Sequence, residues 1–195
     1  MSPHDGPDAA GPVEPVDGCL VEPGDETLDP VAAAVRAHLD ELGVQAELMA
    51  CDPELADTAR FCEAYGIPPE DSANTIVVVG KSDPPRYAAC VVLATTRLDV
   101  NRTVRKRFGI RKASFASAEE TRALTGMLIG GVTAFGLPAD LPIWVDAAVM
   151  ARPSVVLGGG SRSWKVRVAP EQLRKLAGTE VVDGLASPAE PADRA

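Results

Sequence analysis

Two clusters of glycine mark the part of the chain where backbone groups could do chemistry. The first contains Gly130 and Gly131, with Gly136 close behind, and the second covers residues 158–160. A short apolar segment that ends on Asp146 lies between them. Because glycine has no Cβ, its N–H group can approach a ligand closely and its backbone can adopt a positive φ. The clusters therefore predict the walls of a pocket, and the alternative interpretation is a pair of tight turns at strand ends.

Few side chains are available for nucleophilic catalysis or for binding a metal. The chain has two histidines, His4 and His38, and four cysteines, at positions 19, 51, 62 and 90, which form no Cys-x-x-Cys pair. A histidine-based triad has few candidates, and the spacings are not typical of a zinc site. We expect a reduced protein with no metal and no organic cofactor, in which any catalysis relies on positioning and on backbone dipoles.

Charge is distributed unevenly along the chain. The net charge is −9, but residues 1–72 hold 17 acidic and 2 basic side chains, whereas residues 73–182 hold 8 acidic and 16 basic ones. The basic part is also the part with the glycine clusters. Because salt screens long-range repulsion, a local cationic surface can dominate at contact, so the sequence allows a nucleic-acid partner.

The length of 195 residues fits one domain with a buried core. Residues 1–28 are acidic and rich in proline, so we expect a disordered tail there, followed by a domain over 29–182 and a second disordered tail over 183–195. The longest apolar run, 88–94, is too short to cross a bilayer, and the first thirty residues do not resemble a secretory signal. These features predict a cytoplasmic protein with no membrane contact.

Capping residues and apolar periodicity predict five helices. They begin at Asp29-Pro30, Asp52-Pro53, Asp99, Ser117 and Pro170, and the first, second and fourth end at Gly43, Gly66 and Gly126. The fourth begins with a capping box, in which Ser117 is followed three residues later by Glu120. In the third, Arg102, Arg105 and Lys106 fall on the face opposite the apolar residues.

Short β-rich runs alternate with these helices. The predicted strands cover residues 46–50, 75–79, 87–94, 112–116, 132–135, 142–146, 154–157 and 164–168. The second and third form a hairpin, because Gly, Ser, Asp and Pro separate them. The pattern favours a mixed α/β (α+β) fold with a mostly antiparallel, barrel-like sheet surrounded by helices.

Several short motifs occur in an order that resembles a known family. They are Gly80-Lys81 after an apolar strand, Lys112-Ala-Ser-Phe-Ala116, Thr125-Gly126, Gly130-Gly-Val-Thr-Ala-Phe-Gly136, Asp146 and Gly158-Gly-Gly-Ser-Arg162. Over roughly residues 30–182 the chain resembles the YbaK/EbsC family of aminoacyl-tRNA deacylases, which are similar to the editing domain of bacterial prolyl-tRNA synthetases. The resemblance implies a compact α/β domain with a barrel-like sheet.

The resemblance also implies an activity. Members of this family hydrolyse, in trans, the ester of mischarged tRNA of the Cys-tRNA(Pro) or Ala-tRNA(Pro) type. Such an ester is already activated, so its hydrolysis needs mainly a positioned water and donors aimed at the developing oxyanion. Glycine N–H groups can supply those donors. The implied partner is the acceptor end of mischarged tRNA, and an aminoacyl-tRNA synthetase is a further candidate.

Roles for individual residues follow from the same resemblance. Lys81 and the backbone of Gly130 and Gly131 are implied to be catalytic, with the ammonium group holding the 3′-terminal nucleotide or the ester. The alternative for Lys81 is a solvated lysine at a hairpin. Substrate contacts are implied for Thr133, Gly136, Asp146, Gly159, Gly160, Ser161 and Arg162, and tRNA contacts for Arg102, Arg105 and Lys106. For the polar members of these sets, the alternative is a bond to local backbone or to solvent.

One position departs from the family pattern. Ala134 stands where family members often have proline in the first glycine cluster, and the loss of that rigid φ could reshape the pocket wall. The amino acid and the tRNA therefore stay open. Two other functions remain as alternatives: a non-catalytic module that binds tRNA ends or a nucleotide, and an esterase or amidase for small aminoacyl compounds.

Overall fold

The computed structural model describes residues 28–189, and a hairpin of two apolar strands lies at the centre of its largest sheet. The strands are β1 (Ala46–Ala50), β2 (Ala73–Gly80), β3 (Arg86–Leu93), β4 (Thr96–Leu98), β5 (Ala113–Phe115), β6 (Ile143–Asp146), β7 (Val155–Gly158), β8 (Trp164–Val168), β9 (Thr179–Val182) and β10 (Ala186–Pro188). The helices are α1 (Pro30–Glu41), α2 (Thr58–Tyr65), α3 (Arg105–Phe108), α4 (Ala118–Thr125) and α5 (Ala147–Met150). Single 3₁₀ turns lie at Pro53–Leu55 and Pro69–Asp71, a longer 3₁₀ helix lies at Pro170–Lys175, and a π turn lies at Val100–Val104.

The strands form sheets of five, three and two members. The five-stranded sheet has the order β5-β2-β3-β6-β9, the three-stranded sheet β1-β8-β7 and the two-stranded sheet β10-β4. Within the described residues the pairings are antiparallel except for β3 with β6 and β6 with β9. A bridge between Ser72 and Val156 joins the two larger sheets. This mixed, mostly antiparallel arrangement with surrounding helices confirms the predicted fold class.

The first helix shows how local sequence signals and core packing agree. The Asp29 side chain caps α1 by accepting hydrogen bonds from the N–H groups of Val31 and Ala32, and Pro30 occupies the first turn. The apolar face of α1 then buries Val35 and two neighbours one turn away, within a core shared by β3 and β8. Capping fixes where the helix begins, and burial of this face holds it against the sheets.

The fourth helix leads directly into the first glycine cluster. Ser117 Oγ accepts the N–H of Glu120 at 3.1 Å, and the Glu120 carboxylate accepts the N–H of Ser117 at 2.7 Å, so the predicted capping box is present. The helix ends at Gly126, whose φ of 73° is the left-handed conformation typical of a helix C-terminus. The chain then turns towards Gly130.

Three predicted elements differ from the structure because local signals compete with packing. Residues 132–135, predicted as a strand, form an irregular loop. All four residues are buried, so buried and exposed side chains do not alternate along it. Positive φ values at Gly130 and Gly136 bend the backbone on both sides of this loop. The second predicted helix is divided into the turn Pro53–Leu55 and α2. The helix after Asp99 begins as a π turn before α3.

The two predicted tails have different outcomes. The acidic segment 1–28 lies outside the described residues, apart from Leu28. The segment after residue 182, predicted to be disordered, is ordered as far as residue 189, because β10 pairs with β4 and the N–H of Ala186 donates to Asp146 Oδ2 at 2.8 Å. Among residues 28–189, no helix is long and apolar enough to span a membrane.

Candidate active site

A cavity of about 370 Å³ opens beside β2, where the edge of that strand lacks a neighbour. Residues 73–76 pair with β3 on one side, but on the other side the bridge at Ser72 and the pairing with β5 from Val78 onwards leave a gap among the described strands. The Val77 carbonyl accepts the N–H of Ala116 at this edge of β2. Backbone groups two residues apart in a strand point to the same side, so the N–H and carbonyl of Thr75 point into the gap. The gap gives a ligand access to unpaired main-chain atoms.

The other walls come from α2, from β7 and from the first glycine cluster. Phe61 and Thr58 contribute from α2, Gly158 from β7, and Gly130 from the loop after α4. Thr58 Oγ1 donates to Asn74 Oδ1 at 2.7 Å across the cavity wall. The Thr75 hydroxyl is buried and has no hydrogen-bond partner within the described chain. The cavity thus combines small and apolar walls with a few polar groups, as is usual for small-molecule sites.

Lys165 is the basic side chain that lines this cavity among the described residues. It lies in β8 and is only 5% exposed. Its ammonium group donates to the carbonyl oxygens of Ala56 at 2.8 Å and Gly130 at 3.1 Å, and it lies 5.1 Å from the centre of the Phe61 ring. Burial lowers the pKa of Lys165, because desolvation penalises the charged form.

Exposed apolar side chains surround the mouth of the cavity. Phe115, at the end of β5, is 54% exposed, and Ile129, next to Gly130, is 55% exposed; both line the cavity. Single exposed apolar residues are common, but two beside one opening form a surface on which a base could stack. The π turn that carries Arg102 packs beside β5, so basic residues lie on the same part of the molecule.

The structure brings the two predicted glycine clusters into direct contact. The N–H of Gly160 donates to the Gly131 carbonyl at 2.8 Å, and a Cβ on Gly158 would lie 2.3 Å from the carbonyl oxygen of Val132. Gly130 and Gly158 both line the cavity. The N–H of Gly131, however, donates to the Leu128 carbonyl at 2.9 Å, so in this structure it is engaged within its own turn.

Lys81 lies outside the cavity. It is exposed at the connection between β2 and β3, and its backbone N–H donates to the carbonyl of Lys112 at 2.9 Å. Hydrogen bonds from Ser117 and Tyr87 lower the pKa of Glu120 most, and the charge of Lys81 lowers it by a smaller amount. This placement matches the solvated-lysine alternative, and the catalytic role of Lys81 stays a prediction.

Three of the predicted substrate contacts, Thr133, Gly136 and Asp146, do not line the cavity. Thr133 is fully buried, and within the described residues its hydroxyl has no hydrogen-bond partner. The N–H of Gly136 donates to His38 Nδ1 at 2.7 Å. Asp146 accepts the N–H groups of Ala148 and Ala186, each at 2.8 Å, and so caps α5 and holds β10. Asp146 therefore bonds to backbone N–H groups, as in the alternative interpretation from sequence, although one of them lies forty residues away in β10.

The second glycine cluster and its neighbours also serve packing. A Cβ on Gly159 would lie 2.6 Å from the backbone of Trp164, and one on Gly160 would meet α1. Ser161 Oγ accepts the N–H of Ser163 at 3.3 Å. Arg162 donates to the carbonyl oxygens of Pro53 and Ile129 at distances from 2.8 to 3.2 Å.

The predicted tRNA-binding residues lie on the surface. Arg102, Arg105 and Lys106 are all exposed, in the π turn and in α3. The neighbouring Arg107 is bonded to Glu180 and lies over the Trp144 ring. Within residues 28–189 the side chains of the three predicted residues form no ion pair, unlike that of Arg107, and they are available for phosphate contacts.

Sequence reasoning missed the residues that line the cavity on the β8 and β5 sides. In β8, Trp164, Val166 and Val168 are buried in the main core, which places Lys165 on the opposite face by alternation. That face would be solvated if α2 did not cover it with Phe61 and Cys62. The available sequence signal was the apolar face of the second predicted helix, which needs a partner surface.

Comparison with known proteins assigns the class of this domain. Residues 52–176 match the family described as the aminoacyl-tRNA editing domain, and the chain belongs to that family. The match confirms the resemblance drawn from the motifs. The matched segment contains both glycine clusters, the open edge of β2 and Lys165.

Individual relatives support the same class. The uncharacterized protein YwhH of Bacillus subtilis (strain 168) is 25% identical over 148 residues, which cover 76% of this chain and 92% of that protein. A crystal structure named as a candidate trans-editing enzyme for prolyl-tRNA synthetase has a TM-score of 0.71 at 26% identity, covering 80% of this chain and 98% of that one. The hypothetical protein APE2540, at 24% identity and a TM-score of 0.69, covers 77% of this chain and 97% of its own, and shows the fold alone.

Proposed function

We propose that this chain is an aminoacyl-tRNA deacylase that hydrolyses the ester of mischarged tRNA in trans. The observation that carries the proposal is the cavity itself, which places Gly130, the open edge of β2 and a buried ammonium group around one space in a domain of the editing family. The candidate substrates are Cys-tRNA(Pro) and Ala-tRNA(Pro). They are supported by the likeness to the candidate trans-editing enzyme for prolyl-tRNA synthetase.

The reaction requires little from the side chains. Water attacks the acyl carbon, the ester C–O bond breaks, the amino acid leaves as a free acid, and the 3′ oxygen of the tRNA takes a proton. What must be stabilised is the negative charge on the carbonyl oxygen in the tetrahedral intermediate. Backbone donors at Gly130 and at the β2 edge, together with the buried ammonium group, are suitable for that charge. No nucleophilic side chain is needed, because the ester is already activated.

Cavity size and wall composition favour a small acyl group. A volume of about 370 Å³ is near the lower end of the usual range for small-molecule sites, about 300–1,000 Å³. Ala56, Ala73 and Ala116 line the wall together with Gly130 and Gly158. We expect alanine or cysteine to enter, and the terminal adenosine to remain at the mouth near Phe115.

The remaining tRNA contacts belong to the surface outside the mouth. Arg102, Arg105 and Lys106 would bind phosphates of the acceptor stem, which positions the tRNA without reading its sequence. An aminoacyl-tRNA synthetase is a candidate partner, since it produces the mischarged substrate. A cytoplasmic site of action follows from that substrate.

The test is hydrolysis of a panel of charged tRNAs by the purified chain. We expect Ala-tRNA(Pro) or Cys-tRNA(Pro) to lose its amino acid faster than in buffer, and Pro-tRNA(Pro) to be spared. Lys81→Ala belongs in the same panel, because the sequence-based role of Lys81 predicts loss of activity, whereas its exposed position outside the cavity predicts little change. If every ester is cleaved at the buffer rate, the deacylase proposal is wrong.

A second candidate function is a non-catalytic module that binds tRNA ends. It is favoured by the Gly131 N–H, which is engaged with Leu128 and leaves one donor fewer for an oxyanion. This alternative predicts saturable binding of tRNA that weakens with salt, without turnover. The panel separates the two, because binding without ester cleavage supports only the module.

A further inference from the structure

Lys165 has a position that simple structural needs do not explain. Within residues 28–189 it forms no salt bridge with a carboxylate, and its ammonium group is satisfied only by two backbone carbonyls. Asp57 also lines the cavity and its charge favours the ammonium form, but it pairs with Arg162 at 3.8 Å and forms no salt bridge with Lys165. A buried charge without its own ion-pair partner is costly, and such charges are often found at functional sites. The nearest use for a cation here is the cavity that Lys165 lines.

We propose that Lys165 is a catalytic residue that holds the acyl carbonyl oxygen of the bound ester. An ammonium group has three N–H donors, and two of them are directed to the carbonyls of Ala56 and Gly130. The third is left for the ligand in the cavity. The inference rests on the proposed deacylase function and assigns the cation of its site to β8, instead of to the exposed Lys81.

The two carbonyl partners fix the position of the ammonium group. Ala56 precedes α2 and Gly130 lies in the glycine loop, so Lys165 is held from both walls of the cavity. As water adds to the acyl carbon, charge grows on the carbonyl oxygen, and a fixed ammonium group in a dry site stabilises it without having to reorganise. When the C–O bond to the tRNA breaks, the carbonyl re-forms and Lys165 keeps its proton throughout.

A purely structural role is already filled by a neighbouring residue. Arg162 donates to the carbonyls of Pro53 and Ile129, and so joins the same two segments from a less buried position. A second connection would not require a charge inside the cavity. Desolvation also lowers the pKa of Lys165, so its proton is lost at a lower pH than that of an exposed lysine.

The test compares Lys165→Met with a matched control, Lys175→Met. Lys175 also donates to a backbone carbonyl, that of Gly43, but it is exposed and does not line the cavity. Each variant is assayed for hydrolysis of the best tRNA in the panel and for binding of 3′-alanylamino-3′-deoxyadenosine, an amide that cannot be hydrolysed in the same way. We expect Lys165→Met to lower kcat about a hundredfold, as loss of an oxyanion donor does, and Lys175→Met to change it little.

A readout on the unmodified protein covers the case in which Lys165→Met does not fold. With ¹³C at the lysine Cε positions, the Lys165 signal should shift when the amide analogue is added, whereas the Lys175 signal should not. Analogue affinity should also fall as pH rises through the Lys165 pKa, since a neutral amine has lost the charge and has only two N–H groups, which the carbonyls of Ala56 and Gly130 already occupy. An unmoved Lys165 signal in the presence of bound analogue would overturn the proposal.

The outcomes for Lys165 and for the deacylase function can be told apart. If the parent protein hydrolyses tRNA and folded Lys165→Met is equally active, the role of Lys165 is wrong and the function stands. If the parent hydrolyses nothing, the function is wrong, and the role of Lys165 as a carbonyl ligand is decided by the analogue. If the parent binds the analogue about tenfold more tightly than Lys165→Met does, the role of Lys165 is supported. If the two bind the analogue equally, or if neither binds it, the role of Lys165 is wrong.

Discussion

The amide of Gly160 donates to the carbonyl of Gly131 at 2.8 Å, and this bond joins the two glycine clusters that flank the candidate site. A Cβ on Gly131 would lie 2.4 Å from the backbone carbonyl carbon of Ser161, which cannot move aside as a flexible side chain could. We expect Gly131→Ala to lower the free energy of unfolding by about 2 kcal/mol, the usual scale of overpacking. Urea unfolding of the parent and the variant measures this difference in the free energy of unfolding.

Gly43→Ala provides a control for that experiment. Gly43 has a φ of 58° and open space around its Cβ position, so alanine there meets only the left-handed backbone penalty, about 1 kcal/mol. If Gly131→Ala lowers the free energy of unfolding no more than Gly43→Ala does, the close approach of the two clusters does not stabilise the loop that contains Gly131.

Phe115→Ala tests the mouth of the cavity. Because the ring is 54% exposed, its removal should change stability little. Stacking on an aromatic ring contributes about 1–3 kcal/mol per base, so we expect the Kd for tRNA to rise about tenfold or more, as measured by filter binding. Leu128→Ala is the matched control, since Leu128 is 51% exposed beside Ile129 but does not line the cavity. Equal effects of the two substitutions would exclude stacking on Phe115.

Neutralising the exposed basic residues tests the tRNA surface. Replacing Arg102, Arg105 and Lys106 with glutamine should weaken tRNA binding and reduce the slope of log K against log salt by about 3, roughly 0.9 per lost phosphate contact on a duplex. Binding is measured at several salt concentrations. Arg36→Gln is the control, because Arg36 pairs with Asp40 on α1. An unchanged slope in the triple variant would place the phosphate contacts elsewhere.

The capping box of α4 predicts a dependence of stability on pH. The backbone N–H of Ser117, followed by the Ser117 and Tyr87 hydroxyls, lowers the pKa of Glu120 below its ordinary value of 4.5. A carboxyl group with a lowered pKa in the folded state stabilises the protein above its unfolded pKa, and that contribution is lost as pH falls through the folded pKa. The stability difference between the parent and Glu120→Gln should therefore be complete near pH 6 and should shrink below pH 4.5.

Urea midpoints between about pH 6 and pH 3, where carboxyl groups titrate, measure that difference. Glu119→Gln is the matched control, because Glu119 lies in the same first turn but makes no capping-box bond. A difference for Glu120→Gln that stays constant over this range would contradict the assignment.

Sequence alone predicted the elements whose signals are local. Asp29 and Ser117 mark helix starts by side-chain capping, and the apolar runs of β2 and β3 specify a hairpin without reference to the rest of the chain. The family resemblance added the class of the domain. The glycine clusters themselves predicted the walls of a pocket, and the bond between Gly131 and Gly160 brings the two clusters together.

The site was less predictable because its members meet only through tertiary packing. Lys165 alternates with core residues and looks like a solvated side chain until α2 covers its face. Residues 132–135 have β-forming composition, yet the contact between the glycine clusters holds them as a buried loop. The strand β10 depends on Asp146, forty residues earlier, which accepts its first N–H.

If the chain is the deacylase proposed above, the paired connections of Arg162 and Lys165 affect which amino acids its cavity accepts. Both side chains fasten the segment around residues 53–56 to the backbone at residues 129–130, so the space between these segments cannot widen without breaking several hydrogen bonds. A bulky acyl group would therefore be turned away by rigidity, even where no single side chain blocks it. Discrimination by size would then depend on how firmly Arg162 and Lys165 hold the two segments together, and not on their contact with the rejected substrate.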